Sequence, residues 1–187
     1  MRLCFNAGHL RGTDPGAVGA HGLREADVTT RIVHALLDRR WPYGWEVYAK
    51  RQTGGRKTLG ELMGRVAASK PDIFVAVHCN SVGKGILAEG AQVYYPIYPW
   101  AYCKGKRLAE LMLPMLPNHR TRWSKIASAA FRVLRPPLTR PFCCALVEAD
   151  FLSNPVVEAL MQTATWVSTV AEGIRQGIEA YAKELGP

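Results

Sequence analysis

Cysteine is scarce in this 187-residue chain, and its spacing is wrong for a scaffold role. The five cysteines (Cys4, Cys79, Cys103, Cys143 and Cys144) are an odd number with no Cys-x-x-Cys pair. That excludes a disulfide framework and a zinc ribbon. Cys4, Cys79, Cys143 and Cys144 lie in or beside apolar runs and read as buried free thiols, in keeping with synthesis in a reducing compartment. No run approaches the roughly 20 apolar residues of a membrane-spanning helix. No internal repeat or low-complexity segment occurs. Met1-Arg2-Leu3-Cys4-Phe5 reaches Gly8-His9 without room for the charged and apolar regions of a signal peptide, so the reading is synthesis in the cytoplasm or excision from a longer precursor.

Acidic residues are the other shortage: 15 against 24 Lys and Arg, for a net charge of +9. The excess is local. Residues 101–140 carry nine basic side chains and one acidic, whereas residues 141–187 carry two basic and six acidic. A basic stretch of this kind suits nucleic acid, anionic lipid or an acidic polymer. No zinc finger, RNA-binding sheet motif or basic helix pattern accompanies it, which argues against nucleic acid. With 48% hydrophobic and 21% charged residues, the chain is that of one folded domain spanning 1–187.

The pattern along the chain predicts strands at 2–7, 45–51, 72–80, 90–95 and 142–149. Helices are expected at 25–40, 58–69, 101–116 and from Pro155 to the C-terminal end, with a break near 163–165. The proline-bearing stretch 117–141 reads mostly as loop, with a short strand at 130–134. Strands alternating with helices imply an α/β fold: a single, mostly parallel or mixed sheet flanked by helices on both faces.

Polar residues stand at the ends of these elements. His9 follows the first strand, Glu25 opens the first helix, His78 ends the buried run 72–80, and Glu148 ends the run 142–149. Ligands of open α/β sheets bind beyond the carboxyl ends of strands, where these four can meet. Two His and a carboxylate make a catalytic zinc set, and a further carboxylate can serve as general base. Structural roles stay open for each taken singly: a strand-end His can be a core or surface residue, and Glu25 can complement a helix dipole. Glu148 in an apolar strand requires a metal, a cation or a donor.

The motifs as a set resemble the zinc-dependent N-acetylmuramoyl-L-alanine amidases of the amidase 3 family. They are Asn6-Ala7-Gly8-His9, Thr13-Asp14-Pro15-Gly16-Ala17-Val18-Gly19, Gly22-Leu23-Arg24-Glu25, Val77-His78-Cys79-Asn80-Ser81 and Val147-Glu148-Ala149-Asp150-Phe151-Leu152-Ser153-Asn154. Arg51, Arg65 and Gly90–Tyr95 also fall where that family has an Arg, a second Arg and a strand. The resemblance covers essentially the whole chain. It implies one zinc ion held by His9, Glu25 and His78, with Glu148 as catalytic carboxylate. The implied reaction is hydrolysis of the amide between N-acetylmuramic acid and the L-alanine of the peptidoglycan stem peptide.

Candidate substrate contacts are Asn80, Arg11 and Trp123; Trp100 is a further candidate for sugar stacking. Two departures stand out: Leu10-Arg11-Gly12 follows His9 where the family has Gly-Gly, and Asp150 stands where it has Gly. The expected partner is peptidoglycan, with anionic wall polymers engaged through 101–140. The expected setting is that of a phage or prophage lysin, or of a domain cut from an exported protein. The interval between His78 and Glu148 leaves little room for an inhibitory helix, so an open cleft is expected. The rival readings are a zinc peptidase of aminopeptidase type, for which Asp150 leaves an opening, and a non-catalytic wall-binding module of the same fold.

Overall fold

The structure, a computed structural model, describes residues 1–50, 59–83, 86–136 and 142–186, apart from the side chains of Tyr102 and Cys103. Arg51, Thr58, Pro137 and Pro141 of the sequence reading lie outside the described residues. Six strands form one sheet: β1 (Arg2–Ala7), β2 (Glu46–Ala49), β3 (Ile73–Asn80), β4 (Gln92–Pro96), β5 (Lys125–Ala129) and β6 (Cys143–Phe151). Their order is β2-β1-β3-β6-β4-β5. Among the described strands only β4 and β6 pair antiparallel. The helices are α1 (Glu25–Leu37), α2 (Leu59–Ala68), α3 (Pro99–Met112), α4 (Pro155–Met161) and α5 (Ala164–Glu184). The mixed sheet flanked on both faces is the expected architecture.

The central strands β3 and β6 are continuous apolar runs because both their faces are covered. One face carries Ile73, Val75, Val77 and Cys79 of β3 with Cys143, Ala145, Val147 and Ala149 of β6. These pack in one cluster with Val28 and Ile32 of α1, Leu108 and Met112 of α3, and Val170 and Ile174 of α5. The other face carries Phe74 and Ala76 with Cys144 and Leu146. It is covered by Leu62, Met63 and Val66 of α2 and by Val133 and Leu134. Side chains alternate along a strand, so the even-numbered row continues to His78 and Glu148 at the strand ends.

Element ends have local causes. α1 stops at Leu37 rather than Arg40; just beyond it Trp41 Nε1 donates to Leu36 O at 3.0 Å, ahead of Pro42. α3 begins at Pro99 because proline suits a first helical position, and it gives way to a 3₁₀ turn (Leu113–Met115) at Pro114, which lacks an N–H. The expected break in the last helix lies between Met161 and Ala164, where Thr163 Oγ1 caps α5 by accepting from Trp166 N. Asn154 caps α4 in the same way.

Two readings of 117–141 need correction. Lys125–Ala129 is a strand, paired in parallel with β4 at the sheet edge. Its sequence, Lys-Ile-Ala-Ser-Ala, has no apolar run because an edge strand leaves much of its surface to solvent. The expected strand at 130–134 is a 3₁₀ turn, Arg132–Leu134, because Val133 and Leu134 both enter the α2-side core. Adjacent residues of a strand would point to opposite faces.

Candidate active site

Beyond the cover of α2, the even-numbered side chains of the sheet open into a pocket of about 280 Å³. Its polar end is formed by Asn6, His9, Asp14, His78 and Glu148. Its apolar wall is formed by Leu59, Leu62, Phe131, Val133 and Leu146. His78 and Glu148 face each other across the β3–β6 ladder. His9 lies where the chain leaves β1, and Glu25 is the first residue of α1. Thr29 Oγ1 of that helix donates to Gly8 O at 2.8 Å, tying α1 to the end of β1.

Glu25 is buried and lies between the two imidazoles. Its Oε1 is 2.9 Å from His78 Nδ1 and its Oε2 3.1 Å from His9 Nε2. Backbone N–H groups of Cys79 and Ala17 also donate to it, each at 3.0 Å. Burial alone would raise the Glu25 pKa; the hydrogen bonds from His78 and His9 outweigh it and hold the carboxyl far below its usual range. The bond to Glu25 lifts His9 to about 9 against the opposing effect of burial, and Asp14 adds to the lift.

The backbone is shaped around this cluster. A Cβ on Gly8 would come within 2.4 Å of the His78 ring, and one on Gly16 within 2.6 Å of both Glu25 and the His9 ring. Gly16 also has φ +68°, which favours glycine. His9 itself has φ 62°, a left-handed conformation costing a non-glycine residue about 1–3 kcal/mol and tolerated where the site requires it.

The donor atoms of His9, Glu25 and His78 lie within 4.8 Å of one another. Two imidazole nitrogens and one carboxylate, with a pocket beside them, suit a zinc ion that keeps one position open. Asp14 Oδ2 lies 2.9 Å from His9 Nδ1, so it orients the ring from behind. The sequence reading had Asp14 inside a motif without a role, because its contact with His9 depends on the turn in which Leu10 and Asp14 pair.

Glu148 sits beside the trio and outside it. Its Oε2 is buried and makes no hydrogen bond among the described residues. Burial pushes its pKa up to about 7, with the charges of His78 and His9 pulling down and that of Glu25 pushing up.

The other sequence candidates lie outside the pocket lining. Arg11 is exposed and ion-paired with Asp27. Asn80 Nδ2 donates to Gln92 Oε1 at 2.9 Å. Trp123 packs edge-on against Phe151, and its carbonyl accepts from Gln92 Nε2 at 2.7 Å. Gln92 stands opposite Glu148 in the β4–β6 register, so Asn80 and Trp123 are both bonded to a neighbour of the site. Trp100 stacks on Tyr98 and donates to Pro136 O. Asp150 is fully buried and accepts from Gly90 N, Phe151 N and Asn118 Nδ2. It pins the loop before β4 and stands apart from the His/Glu trio, which closes the opening for a second metal. Cys79, beside His78, points into the opposite face of the sheet.

Comparison with known proteins yields a consistent set of likenesses. The sequence profile described as N-acetylmuramoyl-L-alanine amidase (Amidase_3) matches residues 3–180. The N-acetylmuramoyl-L-alanine amidase LytC of Bacillus subtilis is 27% identical over 169 residues, covering 90% of this chain and 33% of its own length. The chain thus spans about a third of that relative. The germination-specific N-acetylmuramoyl-L-alanine amidase of the same species is 25% identical, covering 98% of this chain and 81% of its own. Among solved structures, the catalytic domain of the amidase CwlV from Bacillus (Paenibacillus) polymyxa superposes with a TM-score of 0.81 at 24% identity, over 97% of this chain and 98% of that one. At that identity the likeness is one of fold.

Proposed function

Because the chain belongs to the N-acetylmuramoyl-L-alanine amidase family, we propose that it is a zinc-dependent peptidoglycan hydrolase. Its reaction is cleavage of the amide between N-acetylmuramic acid and the L-alanine of the stem peptide. The observation that carries this reading is that His9, His78 and Glu148 line one pocket while Glu25, buried behind it, bridges the two imidazoles.

His9, Glu25 and His78 would hold the ion, and a zinc ion so held would supply Lewis acidity, activating a water and polarising the scissile carbonyl. The rest falls to the chain. Glu148 Oε2 accepts the proton of the attacking water and returns it to the departing L-alanine nitrogen. In the metal-free protein burial holds the Glu148 carboxyl at about 7, above the ordinary 4.5, which favours its taking up a proton near neutral pH. Asp14 fixes the His9 ring. The apolar wall of Leu59, Leu62, Phe131 and Leu146 keeps bulk water from the Glu148 side and so maintains its raised proton affinity. The pocket is slightly below the roughly 300–1,000 Å³ of common ligand sites, so it takes the scissile amide and its near neighbours while the glycan lies on the surface.

Digestion of purified peptidoglycan tests the reading. New L-alanine amino groups without new reducing sugar ends, lost with a chelator and restored by zinc, are expected. Wall binding with no cleavage product of any kind would refute it and favour a binding module.

A further inference from the structure

The reaction leaves one charged side chain of the pocket lining, Arg132, without a role. Besides the His and Glu side chains, the lining includes Phe131, Arg132 and Val133. Arg132 also lines an adjoining, more polar hollow together with Tyr98 and Arg135. The Arg135 guanidinium lies 5.5 Å from the centre of the Tyr98 ring, which restricts its position.

Both arginines are exposed, and neither makes an ion pair among the described residues. All 15 Asp and Glu side chains belong to those residues. Other arginines of the fold are matched: Arg2 with Glu46, Arg107 with Glu184 and Arg175 with Glu179. The pocket lining therefore combines the carboxylates of Asp14 and Glu148 with the unmatched guanidinium of Arg132, and Arg135 stands in the adjoining hollow. A guanidinium presents paired N–H donors that suit a carboxylate.

We propose that Arg132, with Arg135 beside it, forms a carboxylate subsite for the peptide half of the substrate. The ligand is a stem peptide bearing a free carboxylate within a residue or two of the L-alanine amide. The inference rests on the amidase reading. Arg132 and Glu148 line one small pocket, so a carboxylate at Arg132 belongs to the same short peptide whose amide lies at Glu148. A neutral peptide gains nothing at the guanidinium.

The test compares two muropeptides that differ only in that carboxylate, free in one and converted to the primary amide in the other. A charge-assisted pair is worth about a 10–100-fold preference for the free acid in kcat/KM. In Arg132→Gln that ratio should fall toward one, chiefly through KM. Arg132→Lys should keep part of it and Arg135→Gln should lower it by a smaller factor, with thermal melting reporting that each variant folds. A wild-type ratio near one, or a ratio unchanged in both glutamine variants, overturns the subsite and leaves the amidase reading standing. Failure of the wild-type protein with zinc to cleave either muropeptide overturns the amidase reading, and the subsite with it.

Discussion

At the scale of single residues, the meeting of His9, Glu25 and His78 was legible because each ends or begins an element and the set matches the family motifs; of the candidates, Glu148 alone stood out as costly where it stands. Asp14 and the paired hydrogen bonds of Glu25 were not, since they depend on how the 8–24 loop folds back. Glu148→Gln keeps the shape and removes the carboxylate proposed as the base. It should retain stoichiometric zinc by elemental analysis while losing about 10²–10⁴-fold in kcat. The pKa of His9, raised to about 9 by Glu25, means that the metal-free trio holds an extra proton at neutral pH. If the trio holds zinc, as proposed, the ion must displace that proton, so zinc affinity should climb about tenfold per pH unit from pH 7 to 9 and level off above. The sign for folding runs the other way. A raised folded-state pKa stabilises the metal-free protein fully below the ordinary value of 6.5, and that gain fades as pH rises through 9. Chemical denaturation of the chelated protein at several pH values measures it.

At the scale of elements, the loop between β1 and α1 is held by a residue far away in sequence. Glu158 of α4 has no exposed surface; its carboxylate accepts from His21 N and Leu23 N and lies 3.0 Å from His21 Nδ1. Gly19 passes so close that a Cβ there would fall 2.4 Å from that carboxylate. Burial raises the Glu158 pKa, and the two backbone donors and His21 more than reverse it. A depressed pKa gives stability that is complete above the unfolded value and is lost as pH falls through the folded one. Glu158→Gln should therefore cost about 2 kcal/mol in urea unfolding at pH 7, and the deficit should shrink in acid. Gly8→Ala should displace the His78 ring and abolish tight zinc binding. The strand β5 was invisible in the sequence because its pairing with β4 is a backbone matter, while its side chains look like those of a loop.

At the scale of the whole molecule, the alternation of strands and helices was enough to give the layered sheet, since short apolar runs such as 73–77 are typical of central strands covered on both faces. The basic segment was read as one feature and is two. Its α3 part pairs with acids, Arg107 with Glu110 and Glu184, and Lys106 with Glu110. α3 packs with α5 on the face away from the site. The later part holds Arg120, Arg122, Lys125, Arg132 and Arg135, of which Arg122 lies over Trp123 and Lys125 over Tyr94. If this part grips an anionic wall polymer, retention on purified walls should fall steeply between about 0.05 and 0.5 M salt, and also on neutralising Arg120 and Arg122.

The ladder that sets His78 opposite Glu148 also limits how such a protein can change. Along β6, Cys144, Leu146 and Glu148 face the pocket side, while Cys143, Ala145 and Val147 face the helix-covered core. One residue gained or lost inside the strand would turn Glu148 into the apolar layer and Val147 into the pocket. The damage would be to folding itself, because a carboxylate would stand among Val, Ile and Leu side chains. Insertions in the connecting loops carry no such parity. Divergence in length across related chains should therefore accumulate in the loops, with β3 and β6 kept at constant count between Ile73 and His78 and between Cys143 and Glu148.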